Sequence, residues 1–273
     1  MKAVRMYAPR DLRVEEVDIP SYETDECLIK VMAVGVCGSD IPRVNQYGAH
    51  VSPIIVGHEF GGQIVKTGDK VTKFKAGDRV TCPPLIPCFK CKYCEMGEYS
   101  LCEDYDYYGS RRDGAFAQYI AVKEGNLLKV DDKVSYEDAA AKVMEATGGN
   151  GSDIVIDYSG APICQKAAIN SAAKLGKVVF LGISHQGLEL SEKEVDKILR
   201  RELSIKGSWN SFGKPFPGSD WTGAVDLYEN HGMTAKDIIS HRLSLDEAPA
   251  MFEKIATEKF FFSKIMFYPN GQE

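Results

Sequence analysis

The sequence predicts an α/β-plus-β fold in two parts: a β-rich part over residues 1–130, then a short parallel sheet. Three observations predict it. CLIKVMAVGVCG, PIIVGHEFGGQIVKTG and DRVTCPPLIP are apolar, β-branched runs broken by Gly, Pro and Asp, as short antiparallel strands are. Beyond residue 135 the pattern alternates as β-α-β-α-β, the order of parallel strands joined by crossovers. A length of 273 residues with 44% apolar content supplies core for two modest domains.

In chain order, Ser135 and Asp138 form a weak capping box opening a helix through Glu145. GGNGSD (148–153) is a turn, and DIVIDYSG (153–160) is a strand ending in turn residues. APICQKAAINSAAKLG is Ala-rich and helical, stopped by Gly176. KVVFLGI (177–183) is apolar enough to be a strand buried on both faces. Ser191 and Glu194 box the helix SEKEVDKILRRE, whose Val195, Ile198, Leu199 and Leu203 fall on one stripe. LSIKGSW (203–209) is the next strand. Ser244 and Glu247 box a last helix through DEAPAMFEKIATEK, and FFSKIMFYP follows as a strand. The expected domains are 1–140 joined by 231–273, and 141–230.

A net charge of −6 argues against a general nucleic-acid binder. No run approaches the ~18 apolar residues of a membrane helix. MKAVRMYAPRDLRVEE has no signal-peptide core, so the expected location is the cytoplasm, without a membrane partner.

Four of the eight cysteines, Cys88, Cys91, Cys94 and Cys102, share one stretch with the spacing C-x2-C-x2-C-x7-C. Four thiolates from one loop can enclose a tetrahedral zinc and leave no position for water, which is a structural site. An iron–sulfur cluster or idle thiols are the alternatives. Cys27, Cys82 and Cys164 are isolated and read as small buried hydrophobes.

GHEFGGQIVKTGDKV (57–71) fits the signature G-H-E-x2-G-x5-G-x2-V at every fixed position, and VGVCGSD (34–40) lies upstream. On these residues the chain resembles the zinc-dependent medium-chain alcohol and polyol dehydrogenases. CGSDIPRV (37–44), GSRRDGAFAQY (109–119), GISHQGLELS (182–191) and ILRRELSIKGSW (198–209) are similar to its sugar-phosphate branch. The resemblance implies a GroES-like β-rich catalytic domain beside a Rossmann domain. It implies a catalytic zinc on Cys37, His58 and Glu59, and a Ser39 hydroxyl that relays the substrate proton. A thiolate, an imidazole and a carboxylate leave one position open, as catalytic zinc requires. Many relatives continue the relay to a histidine where this chain has Pro42, so the proton path ends elsewhere. NAD is expected beside Leu181, Gly182 and Ile183, and beside Trp209, Asn210 and Ser211. The implied substrate is a small polyol or sugar-alcohol phosphate, oxidised from secondary alcohol to ketone. Arg43 stands at a substrate-contacting position and offers a planar fork to phosphate, with Arg111 and Arg112 as rivals. A homo-oligomer, dimer or tetramer, is the implied assembly.

One part is missing. A dinucleotide fold needs G-x-G-x-x-G after its first strand and an acidic residue about 20 positions on. Neither is present. A βαβαβ half takes about 60 residues, yet after Ala140–Ala141 only AKVMEATGG precedes the turn into DIVIDYSG. The Rossmann domain is therefore expected to be truncated to its second half. Glu145, inside VMEATGGNGSD, reads as part of the helix leading into the fourth family strand rather than as a replacement zinc ligand. Two functions remain open: an NAD- and zinc-dependent dehydrogenase, or a zinc-binding remnant that no longer binds NAD.

Overall fold

The computed structural model describes residues 1–131, 152–184, 186–208, 212–236 and 238–271. The predicted helix of 135–145, with Glu145, lies outside them, as do Trp209, Asn210 and Ser211. By compactness the chain divides into two units, Met1–Lys142 with Phe212–Glu273, and Val143–Ser211. Segment 212–230 belongs to the first.

The first unit is built around the strand Glu26–Gly35, whose run of Cys, Leu, Ile, Val and Ala is buried along nearly its whole length. It pairs antiparallel with Glu59–Thr67, Tyr119–Lys123 and Lys264–Phe267. The seven-stranded sheet runs Leu128–Lys129, Arg79–Thr81, Glu59–Thr67, Glu26–Gly35, Lys264–Phe267, Ile239–Leu243, with Tyr119–Lys123 also on the central strand. A second sheet pairs Lys2–Ala8 with Asp11–Glu16 and Ile54–Ile55. Ile29, Val31, Val34, Phe60, Ile64, Phe116, Phe252 and Phe267 form one buried cluster between them. Fully burying such a side chain contributes about 1.5–3 kcal/mol. Phe116 sits at its middle, 5.1 Å edge-to-face from Phe267 and 6.2 Å from Phe252. The Ser244–Glu247 capping box is present and leads into the helix Ala248–Thr257, which supplies Phe252.

The register places the metal-site residues. Gly35 faces Glu59 on one side and Met266 on the other. The chain leaving the central strand at Cys37, the GHE segment and Lys264 are therefore side by side before any ligand is considered.

The second unit is a three-stranded parallel sheet, Ser152–Asp157, Ala172–Phe180, Ser204–Gly207, connected by helices Pro162–Ser171 and Glu192–Arg200. The Ser191–Glu194 capping box forms as its sequence predicts. Three expectations change. The first helix ends at Ser171, not Gly176, because the Arg201 guanidinium donates to the carbonyls of Asn170 and Ala172, at 3.3 and 2.7 Å, and Ala172 enters the strand. The middle strand is not buried on both faces: Val178 is buried with Ala168, Ile169 and Ala172, whereas Ile154 and Ile156 of the neighbouring strand are 56% and 46% exposed. Of the predicted stripe, Ile198 and Leu203 pack on this cluster, but Leu199 is 70% exposed and Val195 45%. Parallel sheets normally have both faces covered. Among the described residues this one is covered on a single face.

Candidate metal centres

Cys88, Cys91, Cys94 and Cys102 bring their sulfurs within 4.8 Å of one another. Cys91 caps the short helix Lys92–Met96, which delivers Cys94 one turn later, and Gly97 in a left-handed conformation turns the chain out. Cys88 and Cys94 Sγ are 3.9 Å apart. Four sulfurs each about 2.3 Å from a central zinc stand about 3.8 Å apart in a tetrahedron, so the spacing fits the ion. Backbone N–H groups of Glu103 and Cys94 pull the Cys91 thiol down to about 6, while burial pushes Cys94 up to about 12. A bound cation favours all four as thiolates. All eight cysteines are free thiols; Cys27 and Cys82 are buried as expected, whereas Cys164 is exposed. Phe212, Phe216 and Trp221 pack onto this loop, and the Phe212 N–H donates to Ser100 Oγ at 3.3 Å.

The second cluster is Cys37, His58 and Glu59, whose ligand atoms also lie within 4.8 Å of one another. His58 and Glu59 are buried at 1% and 7% exposure. The sulfur, nitrogen and oxygen donors suit zinc, and three protein ligands leave a fourth position. The Ser39 hydroxyl donates to Cys37 Sγ at 3.3 Å, placing it at the same opening.

The surroundings hold this trio in place. Asp40, fully buried, accepts the Cys37 N–H at 3.0 Å and an Arg43 Nη1–H at 2.7 Å, and its Oδ1 lies 3.5 Å from His58 Nδ1. Burial opposes ionisation of the Asp40 carboxyl, but His58 and Arg43 outweigh it and hold Asp40 below the usual carboxylate range. Burial likewise opposes charge on His58, but Asp40, Tyr107 and Cys37 hold it well above its ordinary value. A carboxylate behind a ligating imidazole fixes its orientation and raises its basicity. Lys264 Nζ donates to Glu59 Oε2 at 2.7 Å and to the Val36 carbonyl at 3.2 Å. Tyr107 closes one side, its ring 5.5 Å edge-on to His58, and desolvation pushes its hydroxyl up to about 12.

Sequence reasoning missed Asp40, Tyr107 and Lys264 as supports. Asp40 was visible inside CGSD; Tyr107 and Lys264 arrive from distant strands and carry no local signal. Arg43 is found engaged by Asp40, with its side chain only 13% exposed. In the second unit, Leu181 and Gly182 each donate a backbone N–H to the Asp157 carbonyl, at 2.8 and 2.9 Å, and Ile183 is 42% exposed.

A glycine contact bolts the GHE turn to another loop. Gly57 has φ +88°, and a Cβ there would run into the Phe116 ring. A Cβ on Gly114 or Gly109 would run into the Gly57 carbonyl. The two backbones are stitched by Ala115 N–H to Gly57 O at 2.8 Å and Gly114 N–H to Ile55 O at 2.7 Å.

A β-rich unit with a three-ligand cluster, a four-cysteine loop and a strand–helix unit together define a dehydrogenase of the zinc-binding alcohol dehydrogenase type. The comparisons agree. The family profile "Alcohol dehydrogenase GroES-like domain" matches residues 23–132, and "Zinc-binding dehydrogenase" matches 123–230. The chain is similar to galactitol 1-phosphate 5-dehydrogenase of Escherichia coli (strain K12), 29% identical and covering 94% of this chain and 96% of that protein. It is 31% identical to the erythritol/L-threitol dehydrogenase of Mycolicibacterium smegmatis, covering 95% of each. A crystal structure of galactitol-1-phosphate dehydrogenase from Escherichia coli superposes with a TM-score of 0.89 at 28% identity, covering 98% of this chain and all of that one. The chain belongs to the zinc-dependent medium-chain alcohol and polyol dehydrogenase family. The alignment with the first relative runs over 334 positions but takes in 94% of a 273-residue chain, about 257 residues, so about 77 positions face no residue here. This is the scale of the missing βαβαβ half. Among the described residues no helix is long and apolar enough to cross a membrane.

Proposed function

We propose that the protein oxidises a secondary alcohol of a polyol or polyol phosphate to the ketone, with NAD as hydride acceptor. The observation that carries this reading is the convergence of Cys37, His58 and Glu59 within 4.8 Å, with the Ser39 hydroxyl at their opening. These three residues are the proposed holders of a catalytic zinc, and Cys88, Cys91, Cys94 and Cys102 of a structural one. A catalytic zinc supplies electrostatic stabilisation to the oxygen of the reacting alcohol.

Ser39 Oγ would accept the proton of the substrate hydroxyl while passing its own proton on toward solvent, and bound NAD would supply the hydride acceptor. Asp40 keeps His58 oriented, and Arg43 keeps Asp40 ionised. Lys264 steadies Glu59, and the Tyr107 ring keeps water from one flank. The proposed nicotinamide wall is Leu181, Gly182 and Ile183, joined by Trp209, Asn210 and Ser211. Likeness to the sugar-phosphate branch supports the substrate class, and the family resemblance extends to a homo-oligomer, dimer or tetramer.

The test is NADH formation, followed by absorbance, when the zinc-loaded protein meets galactitol 1-phosphate and NAD. The reading expects about two zincs per chain and turnover that Ser39→Ala slows by about two orders of magnitude. A second reading is favoured by the roughly 77 unmatched positions: a zinc-binding protein that no longer holds the dinucleotide. Pyrophosphate ordinarily rests on the helix N-terminus after the first strand of such a fold, and that element is part of the missing half. Calorimetric titration with NADH separates the two. Saturable binding with turnover defeats the second reading; a full zinc complement with neither defeats the first.

A further inference from the structure

The three arginines that could meet a phosphate are not equivalent. Arg43 Nη1 is bound to the buried Asp40 at 2.7 Å. Arg112 pairs with Asp106 at 2.7 Å and Glu26 at 3.7 Å, and its guanidinium lies over the Tyr108 ring. Arg111 is exposed and makes no ion pair among the described residues; its guanidinium lies over the Tyr105 ring, 4.6 Å from the centroid. Tyr105 in turn is 6.4 Å from Tyr107, whose ring is 5.5 Å from His58. A lane of aromatic rings thus leads from the metal cluster to one unpaired guanidinium.

The lane is rigid at both ends. Arg111 N–H donates to the Tyr107 carbonyl at 3.0 Å, and its loop is closed by Gly109 N–H to Arg112 O at 2.8 Å. Gly109 and Gly114 seat that loop on Gly57, the residue before His58. His50 is tied to it through its own N–H, which donates to the Ser110 carbonyl at 3.2 Å. That bond sets His50 beside the residue preceding Arg111, and lost hydration, then the Arg111 and Arg43 guanidiniums, hold the His50 ring below its usual range.

We propose that Arg111, with His50 beside it, receives the phosphate of a polyol-phosphate substrate whose hydroxyl end reaches the Cys37–His58–Glu59 cluster. This rests on the dehydrogenase reading above and makes Arg111, not Arg43, the residue that selects phosphorylated substrates. Arg43 is a positioning residue acting through Asp40. A guanidinium meets phosphate through paired, charge-assisted hydrogen bonds. A ring stacked beneath it keeps the fork oriented.

Isothermal titration of the zinc-loaded full chain with galactitol 1-phosphate and with galactitol tests this without requiring turnover. The wild type should prefer the phosphate ester by on the order of ten- to a hundredfold, the weight of a hydrogen bond to a charged group. Arg111→Ala should remove that preference while galactitol binds as before, and Arg111→Lys should keep part of it. Arg112→Ala is the structural control: it should lower the melting temperature and keep the preference. A preference that survives Arg111→Ala, or a wild type with none, overturns the assignment while leaving the dehydrogenase reading standing. A zinc-loaded wild type that binds neither polyol removes the polyol reading and the assignment with it.

Discussion

The two units of this chain differ in how far each completes its own interior. The first buries Phe60, Phe116, Phe252 and Phe267 in one continuous cluster and contains both groups of side chains that could hold a metal. In the second, the buried apolar residues among those described are Ala168, Ile169, Ala172 and Val178, and Ile154, Ile156 and Leu199 stay exposed. Each unit forms a helix capping box and regular strand pairing. Local rules therefore fold each element, while among the described residues the second unit's sheet is covered on one face alone. The lesson is that the four-cysteine loop and the Cys37, His58 and Glu59 cluster both lie in the unit whose interior is the more complete.

The contrast predicts a graded series of effects. The largest comes from the four-cysteine loop: Cys91→Ser should remove one zinc per chain by elemental analysis and lower the melting temperature by about 10 °C or more, since metal binding there is folding free energy. An unchanged melting curve would make the loop an ornament of the first unit and not its staple. Next is Phe116→Ala, which should cost about 3–5 kcal/mol by denaturant unfolding, as deletion of a fully buried ring does.

The matching change in the second unit is Ile156→Thr. At 46% exposure, it should shift stability by less than about 0.5 kcal/mol and raise the concentration at which the protein stays monodisperse in light scattering. A loss comparable to that of Phe116→Ala would show that the open face is covered in solution, and the contrast would collapse.

The smallest effect concerns pH. The Lys129 side chain holds the buried Asp78 carboxyl below its usual range, with burial opposing and the Lys75 backbone N–H assisting. A carboxyl lowered on folding contributes stability above its unfolded pKa and loses it as pH falls through the folded value. Asp78→Asn should thus cost about 0.5–1 kcal/mol at neutral pH, and the difference from wild type should vanish in strong acid.

What the sequence disclosed follows the distance between partners. The four cysteines and the GHE signature were legible because their ligands are neighbours along the chain, and the two capping boxes because each closes within three residues. The helix that stops at Ser171 was not, because its end is set by Arg201 from another element. Val195 and Leu199 misled because a stripe shows where a helix would bury a face and not whether anything lies opposite. Lys264 was invisible for the same reason: no local pattern marks a side chain that acts 205 residues away.

That ion pair has a consequence for the order in which the molecule is made. Cys37, His58 and Glu59 leave the ribosome early, yet the cation that steadies Glu59 emerges only after 205 further residues. Until then a nascent chain carries a complete set of donors with one of them unrestrained. The strand Lys264–Phe267 thus works as a latch: it slots in against Gly35, brings the lysine to the carboxylate, and finishes a centre begun long before.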